Sequence, residues 1–287
     1  MRAPSWRLIL GTGNGAGGLS GAAGAVNMAV DQALLASVQA GGPPVLRLYA
    51  WDPPCLSLGR NQHAAGLYDM DRAAGAGTDI VRRPTGGLAV LHDRELTYCV
   101  LAPIASLGGA RAAYASINSA LVHALRGLGV PAELAGMSDR PARRPAGDAA
   151  DPCFQAPAPG EVVAAGRKLV GSAQRCEGGA LLQHGSILLD GTQADVLDLL
   201  VPRERPPGAR DRPPGARDLP ETVAGSVTLC ELLGVVPPVP ELVEALQSSF
   251  SAMSGIPLAP DSLTREERAR AYGLEAHFRA AAWTWRR

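Results

Sequence analysis

Neither sign of charge prevails in this sequence: 27 Lys and Arg stand against 27 Asp and Glu. No broad positive field therefore marks a nucleic-acid or membrane-surface binder, and any anion site must be local. Long apolar runs are missing too, since nothing approaches the ~20 residues that span a bilayer. The opening stretch from Met1 to Leu10 has one early positive charge, but its apolar run is too short for a secretory h-region and ends in glycines. The expectation is a cytoplasmic protein with neither nucleic acid nor membrane as partner. No C-x-x-C occurs among the five scattered cysteines, Cys55, Cys99, Cys153, Cys176 and Cys230. An odd, dispersed set argues against a disulfide framework and against a zinc site, so no metal is expected and at least one thiol is available for chemistry.

What is present suits a folded enzyme. An apolar content of 46% over 287 residues fills a substantial core. A helical pattern covers about Ala25 to Gln39, with Val30, Leu34, Leu35 and Val38 on one face, and a second covers Ala112 to Leu128. Short strand-like runs separated by Pro, Gly or Asp fall at 45–49, 55–58, 79–83, 88–91, 96–102, 161–165, 168–174 and 186–190, with a helix over 193–200. The tandem Arg-Pro-Pro-Gly-Ala-Arg-Asp at 205–218 reads as a linker. Beyond it, Thr228 with Glu231 and Thr264 with Glu267 have capping-box spacing, which points to helices. The expected architecture is α+β, with a domain over 1–203, a linker over 204–218 and a helical C-terminal subdomain over 219–287.

Gly13-Asn14-Gly15-Ala16-Gly17-Gly18 satisfies G-x-G-x-x-G, yet the helix starts too late to aim at a pyrophosphate and no second βαβ unit follows, so a loop is expected there. Between Gly136 and Gly160 lies a long aperiodic segment that carries Cys153, and long loops are often functional.

Three further segments carry the chemistry. Arg82-Arg83-Pro84-Thr85-Gly86-Gly87 through His92-Asp93 combines forked cationic donors with glycines that allow close backbone approach. Lys168-Leu169-Val170-Gly171-Ser172-Ala173-Gln174 opens a strand with a lysine and interrupts it with a glycine. Leu182-Gln183-His184-Gly185-Ser186-Ile187-Leu188 places a histidine in an apolar run, where a hydrogen-bonded structural role competes with a catalytic one.

Together, in this order, the three resemble the R-R-x-T/S-G-G, K-x-x-G-S-A-Q and L-Q-H-G-S-I-L motifs of the lipoate-protein ligase, octanoyltransferase and biotin-ligase superfamily. The likeness extends from Val26-Asn27-Met28-Ala29 to Trp283-Thr284-Trp285. It implies the mixed-sheet catalytic domain of that superfamily. Asp151-Pro152-Cys153-Phe154, about fifteen residues before the lysine, resembles the cysteine loop of octanoyltransferases that act through a thiol.

The resemblance implies octanoyl transfer from acyl carrier protein to a lysine of a lipoyl domain or glycine-cleavage H protein, without a cofactor. Cys153 would be the nucleophile. Lys168 would favour its thiolate and face the oxyanion, with His184 as base or orienter. Arg82, Arg83, Thr85, Gly86, Gly87, His92, Gly171, Ser172 and Ala173 would bind substrate, with Gly86 and Gly87 walling an acyl tunnel. Two departures stand out. The family's S-x-Y-E is Ala158-Pro159-Gly160-Glu161, which lacks an aromatic to order the loop, and its third glycine is Leu88, a side chain that would narrow the pocket.

Rival readings are an ATP-dependent lipoate or octanoate ligase that needs no Cys153, an amidotransferase between lipoyl domains, and a non-catalytic binder of lipoyl or biotinyl domains. No helix-turn-helix precedes the fold, which disfavours a repressor.

Overall fold

Short runs bounded by turn formers become the strands of a mixed sheet in the computed structural model, which describes residues 5–12, 19–136, 157–201 and 225–287. The strands are β1 (Trp6–Leu10), β2 (Gly21–Ala22), β3 (Val45–Trp51), β4 (Cys55–Leu58), β5 (Asp79–Arg82), β6 (Val90–His92), β7 (Glu95–Pro103), β8 (Ala132–Leu134), β9 (Val162–Ala164), β10 (Arg167–Glu177), β11 (Ala180–Leu188) and β12 (Leu258–Asp261). The main sheet runs β12-β1-β3-β7-β11-β10-β9-β8, with β2 beside β3, and a small second sheet runs β5-β4-β6. Parallel pairs at the β12-β1-β3 end give way to antiparallel pairs from β3 to β8.

The helices are α1 (Gly24–Gln39), α2 (Met70–Gly75), α3 (Ala110–Gly127), α4 (Leu229–Leu233), α5 (Val239–Ser254), α6 (Arg265–Arg279) and α7 (Ala281–Thr284). Four of them cover both faces of the main sheet, as a sheet with two apolar faces requires. On one face α1 (Gly24–Gln39) packs with α6 (Arg265–Arg279) over Tyr49, Cys99, Leu101 and Leu182. On the other, α3 (Ala110–Gly127) packs with α5 (Val239–Ser254) over Leu46, Tyr98, Val170 and Leu181. The stretch expected as a helical C-terminal subdomain thus also supplies strand β12, and Leu242, Leu246 and Phe250 share one core with Trp6 and Leu8. Leu242, Leu246 and Phe250 of α5 are buried in one of these layers, and Ala271 and Phe278 of α6 in the other. Thr264 completes a capping box with Glu267, whereas the Thr228 side chain accepts from Glu231 N. The linker at 204–218 and the Gly13–Gly18 motif lie outside the described residues.

Strand β11 starts earlier than expected. β11 begins at Ala180, six residues before the strand expected at 186–190, because Gly178 (φ 55°) and Gly179 (φ 77°) close a two-residue hairpin that pairs Glu177 with Ala180. His184 and Gly185 therefore sit in mid-strand. The 193–199 segment is 3-10 helix, capped by the Thr192 hydroxyl. Among the described residues no helix is long and apolar enough to cross a membrane.

Candidate active site

The register of the central strands brings distant residues together. Gly171 pairs with Ser186 and Ala173 with His184 across β10 and β11, and Ser186 pairs with Thr97 on β7. Above this floor stands the small sheet, with Ser57 on β4 and Val90 and His92 on β6. The space between holds a cleft, whose walls include Met28, Tyr49, Trp51, Arg83 and Ser172 as well as the residues just named. Apolar and aromatic side chains with a few convergent polar groups are the lining expected of a small-ligand site. Its floor needs Gly185, since a Cβ there would come within 2.2 Å of Gly171 O and 2.8 Å of Tyr98 Cε1. A larger cleft near Trp6, Pro43 and Met253 holds none of the catalytic or substrate-binding residues expected from the sequence.

Arg82 and Arg83 part ways, because neighbouring side chains on a strand point to opposite sides. Arg83 faces the cleft and donates to Ser57 O and Oγ, Gly86 O and Leu88 O, so it pins the loop after β5. Arg82 faces away, wholly buried, and donates to the carbonyls of Gly59, Gln62 and Thr284. Burial first, and the like charges of Arg286, Arg287 and Arg83 after it, lower its pKa. It ties the C-terminal segment to β5 and is not a wall of the cleft. Gly86 and Gly87 do not line it either. Gly87 (φ 98°) instead lets its carbonyl approach Gly59, where a Cβ would come within 1.8 Å of the oxygen. Leu88 is likewise absent from the walls.

His92 stacks on Trp51 with ring centroids 4.0 Å apart, and its nitrogens meet Ser57 Oγ at 2.7 Å and Glu95 Oε1 at 2.8 Å. His184 Nε2 meets Thr85 Oγ1 at 2.6 Å, and its Nδ1 faces Asp31 Oδ2 at 3.4 Å. Asp31 in turn accepts from Arg47 Nη1 at 2.6 Å and Tyr49 OH at 2.9 Å. Burial pushes the His184 pKa down, outweighing the pull of Asp31. Burial alone would raise Asp31, but Arg47 and His184 together hold its carboxyl below the usual range. Cys99 lies close to this chain, with its thiol pushed up by burial. A cation placed among Asp31, Cys99 and His184 would compete with the Arg47 guanidinium, which already holds the carboxylate.

Lys168 enters β10 just after a tight turn at Ala165 (φ 50°) and Gly166 (φ 72°). Fully buried, its Nζ donates to Glu161 Oε1 at 2.9 Å, while Glu161 Oε2 accepts from Ala158 N at 2.7 Å. Ala173, the partner of His184, is five residues further along the strand, so Lys168 and His184 start about 16 Å apart. His184 lines the cleft, and Lys168 is not among its walls.

A model of the lipoyl protein ligase A/B catalytic domain matches residues 23–251. The chain belongs to this family. Octanoyltransferase LipM of Kyrpidia tusciae is 40% identical over 99% of both chains. LipM of Moorella thermoacetica is 38% identical over 91% of this chain and 93% of its own. Among solved structures, lipoate-protein ligase A bound with ATP superposes with TM-score 0.74 at 24% identity, covering 98% of each chain. A bi-partite lipoate protein ligase from Thermoplasma acidophilum gives 0.73 at 23%, covering 99% of this chain and 97% of the other. These structures show the lipoate-protein ligase fold, and the curated relatives make this member of the family an acyltransferase.

The family motifs meet at the cleft through Arg83, His92, Gly171, Ser172, Ala173, His184, Gly185 and Ser186. Thr85 lies one hydrogen bond behind His184. Cys153 lies outside the described residues. Both flanks of the segment that carries it are anchored, by the bonds Gly160 N to Ala135 O and Ala135 N to Glu161 O, and by Asn118 Nδ2 to Gly160 O. At the family's aromatic position Gly160 (φ 81°) places the Tyr114 ring 3.8 Å from where its Cβ would be. Sequence reasoning missed Asp31, Arg47 and Ser57, and it noted Glu161 only as the end of a motif. A carboxylate in the apolar helix face that holds Val30 and Leu34 was the signal available for Asp31.

Of the remaining cysteines, Cys55 and Cys99 are buried, Cys230 is half-buried and Cys176 is exposed, and none of the four is in a disulfide.

Proposed function

We propose that this acyltransferase moves an octanoyl group from octanoyl-acyl carrier protein to a lysine of a lipoyl domain, of the glycine-cleavage H protein type, through a thioester on Cys153. What supports the reading is one juxtaposition: a small-ligand cleft built from the family's motifs shares strand β10 with a buried lysine whose ion-pair partner also holds the backbone at Ala158, five residues after Cys153. The Cys153 thiolate attacks the donor's thioester carbonyl. The C–S bond to the carrier breaks, and its thiol leaves with the proton that Cys153 gave up. The acceptor amine then forms a C–N bond as the C–S bond to Cys153 breaks, and the amine's proton returns to the thiol. Lys168 faces the oxyanion of each tetrahedral intermediate.

The first exchange replaces one thioester by another and is close to isoergic. The second needs a neutral amine, and a lysine of pKa ~10.4 at pH 7 costs about 4.6 kcal/mol to deprotonate. His184 engages Thr85 and Asp31 through its two nitrogens, which favours a role in orienting Thr85 over that of base. Arg83, His92, Gly171, Ser172 and Ala173 hold the acyl chain, where each buried CH₂ contributes about 0.8 kcal/mol.

Incubation with octanoyl-carrier protein and no ATP tests this by intact mass. The expected product is a hydroxylamine-labile adduct, lost in Cys153→Ala and kept in Cys176→Ala. ATP-dependent pyrophosphate exchange with free octanoate, and no adduct, would replace this route with that of a ligase.

A further inference from the structure

Lys168 is an unusual residue to find with no exposed surface. Its side chain is long and flexible, and holding it still costs up to ~2 kcal/mol of rotamer entropy. A buried ammonium also needs a charged partner. Glu161, itself 5% exposed, is that partner at 2.9 Å. The same carboxylate accepts from Ala158 N through its other oxygen at 2.7 Å. Its backbone is fixed as well, since Glu161 O accepts from Ala135 N and the preceding Gly160 O from Asn118.

We infer that Glu161 is the positioning residue of Lys168: one carboxylate holds the ammonium at the entry to β9 and ties it to the backbone at Ala158. The inference rests on the proposed role of Lys168 at the carbonyl. Both partners of Glu161 are donors, and an ionised carboxylate offers acceptors only. Glutamine has the same shape but a single acceptor oxygen, and its NH₂ would face an N–H. Aspartate is one CH₂ shorter and keeps both acceptors. Positioning by acceptor pair therefore ranks wild type above Glu161→Asp and Glu161→Gln last. A side chain that only fills space would rank the isosteric Gln above Asp.

The experiment is single-turnover acylation by octanoyl-carrier protein, followed by intact mass across pH 6–9. Adduct amplitude counts the folded, competent enzyme, so the rate is read independently of folding. In Glu161→Gln the saturating rate should fall on the order of 10- to 100-fold, as for a lost hydrogen bond to a charged group, with half-saturation by donor changed less than about threefold. Glu161→Asp should lose less than tenfold, and its pH profile should follow the wild type more closely than that of Gln. If Gln yields too little folded protein, the Asp rate alone decides, since a loss above tenfold there contradicts the inference. Gln equal to wild type, or faster than Asp, would overturn the role of Glu161 and leave the thioester reading intact. No adduct in wild type would overturn both.

Discussion

Asp31→Asn removes one charge and almost no volume from the chain Arg47–Asp31–His184–Thr85. Both Asp31 and Arg47 are completely buried, and their ion pair is 2.6 Å long. Arg47 also donates to the carbonyls of Gly11 and Asn27 and to Asn27 Oδ1 and lies 3.8 Å from the Tyr49 ring centroid, so it stays in place without its counter-charge. Removing one partner of a buried pair costs about 3–5 kcal/mol, since the other charge remains desolvated. Against a typical domain stability of about 5–15 kcal/mol this is a large fraction.

For a chain of this size each kcal/mol moves Tm by about 2–4 °C, so a fall of roughly 6–20 °C is expected. Urea melts and thermal scans would measure it, with the m-value unchanged. Arg47→Met in the Asp31→Leu background, which removes both charges, should recover most of the loss. An Asp31→Asn protein within about 1 kcal/mol of wild type, well folded, would show that the pair contributes little and that the argument from buried charge is wrong here.

Acid should weaken the fold through the same chain. The His184 pKa is lowered by burial, so the unfolded chain binds its proton first. This contribution is complete above the unfolded histidine pKa of ~6.5 and is lost as pH falls below it, at no more than about 1.4 kcal/mol per pH unit. Denaturant midpoints between pH 7.5 and 5 should show that slope, and it should flatten in His184→Gln. Gly185→Ala should abolish adduct formation and destabilise by at least about 1–3 kcal/mol, because its Cβ meets backbone at Gly171 O, 2.2 Å away. Denaturation of that variant would measure the cost, and full activity would contradict the predicted clash. Thr264→Ala should lose about 1 kcal/mol in urea melts through its capping box and leave transfer unchanged.

Local pattern alone determined much of this protein. Period and punctuation located α1 to within a residue at each end and found β3, β4, β5 and β7, because apolar spacing and turn residues are properties of short segments. Ordered motifs picked out Arg83, His92, the Gly171–Ala173 run and His184, which the fold gathers around one cleft. Tertiary structure decided which way each group faces and what it meets. Arg82 and Arg83 are adjacent in the chain, and only the packing of β5 between the cleft and the C-terminal segment sends one to a structural post and the other to the cleft wall. Of the glycines in the arginine motif, Gly87 brings its carbonyl against the backbone of Gly59, a position where no Cβ would fit. Asp31 and His184, or Trp51 and His92, meet across 153 and 41 residues of chain only through strand register and helix packing. Such long-range contacts leave no trace in local spacing, which is why Asp31 and Thr85 beside His184, and Ser57 beside His92, had to come from the fold.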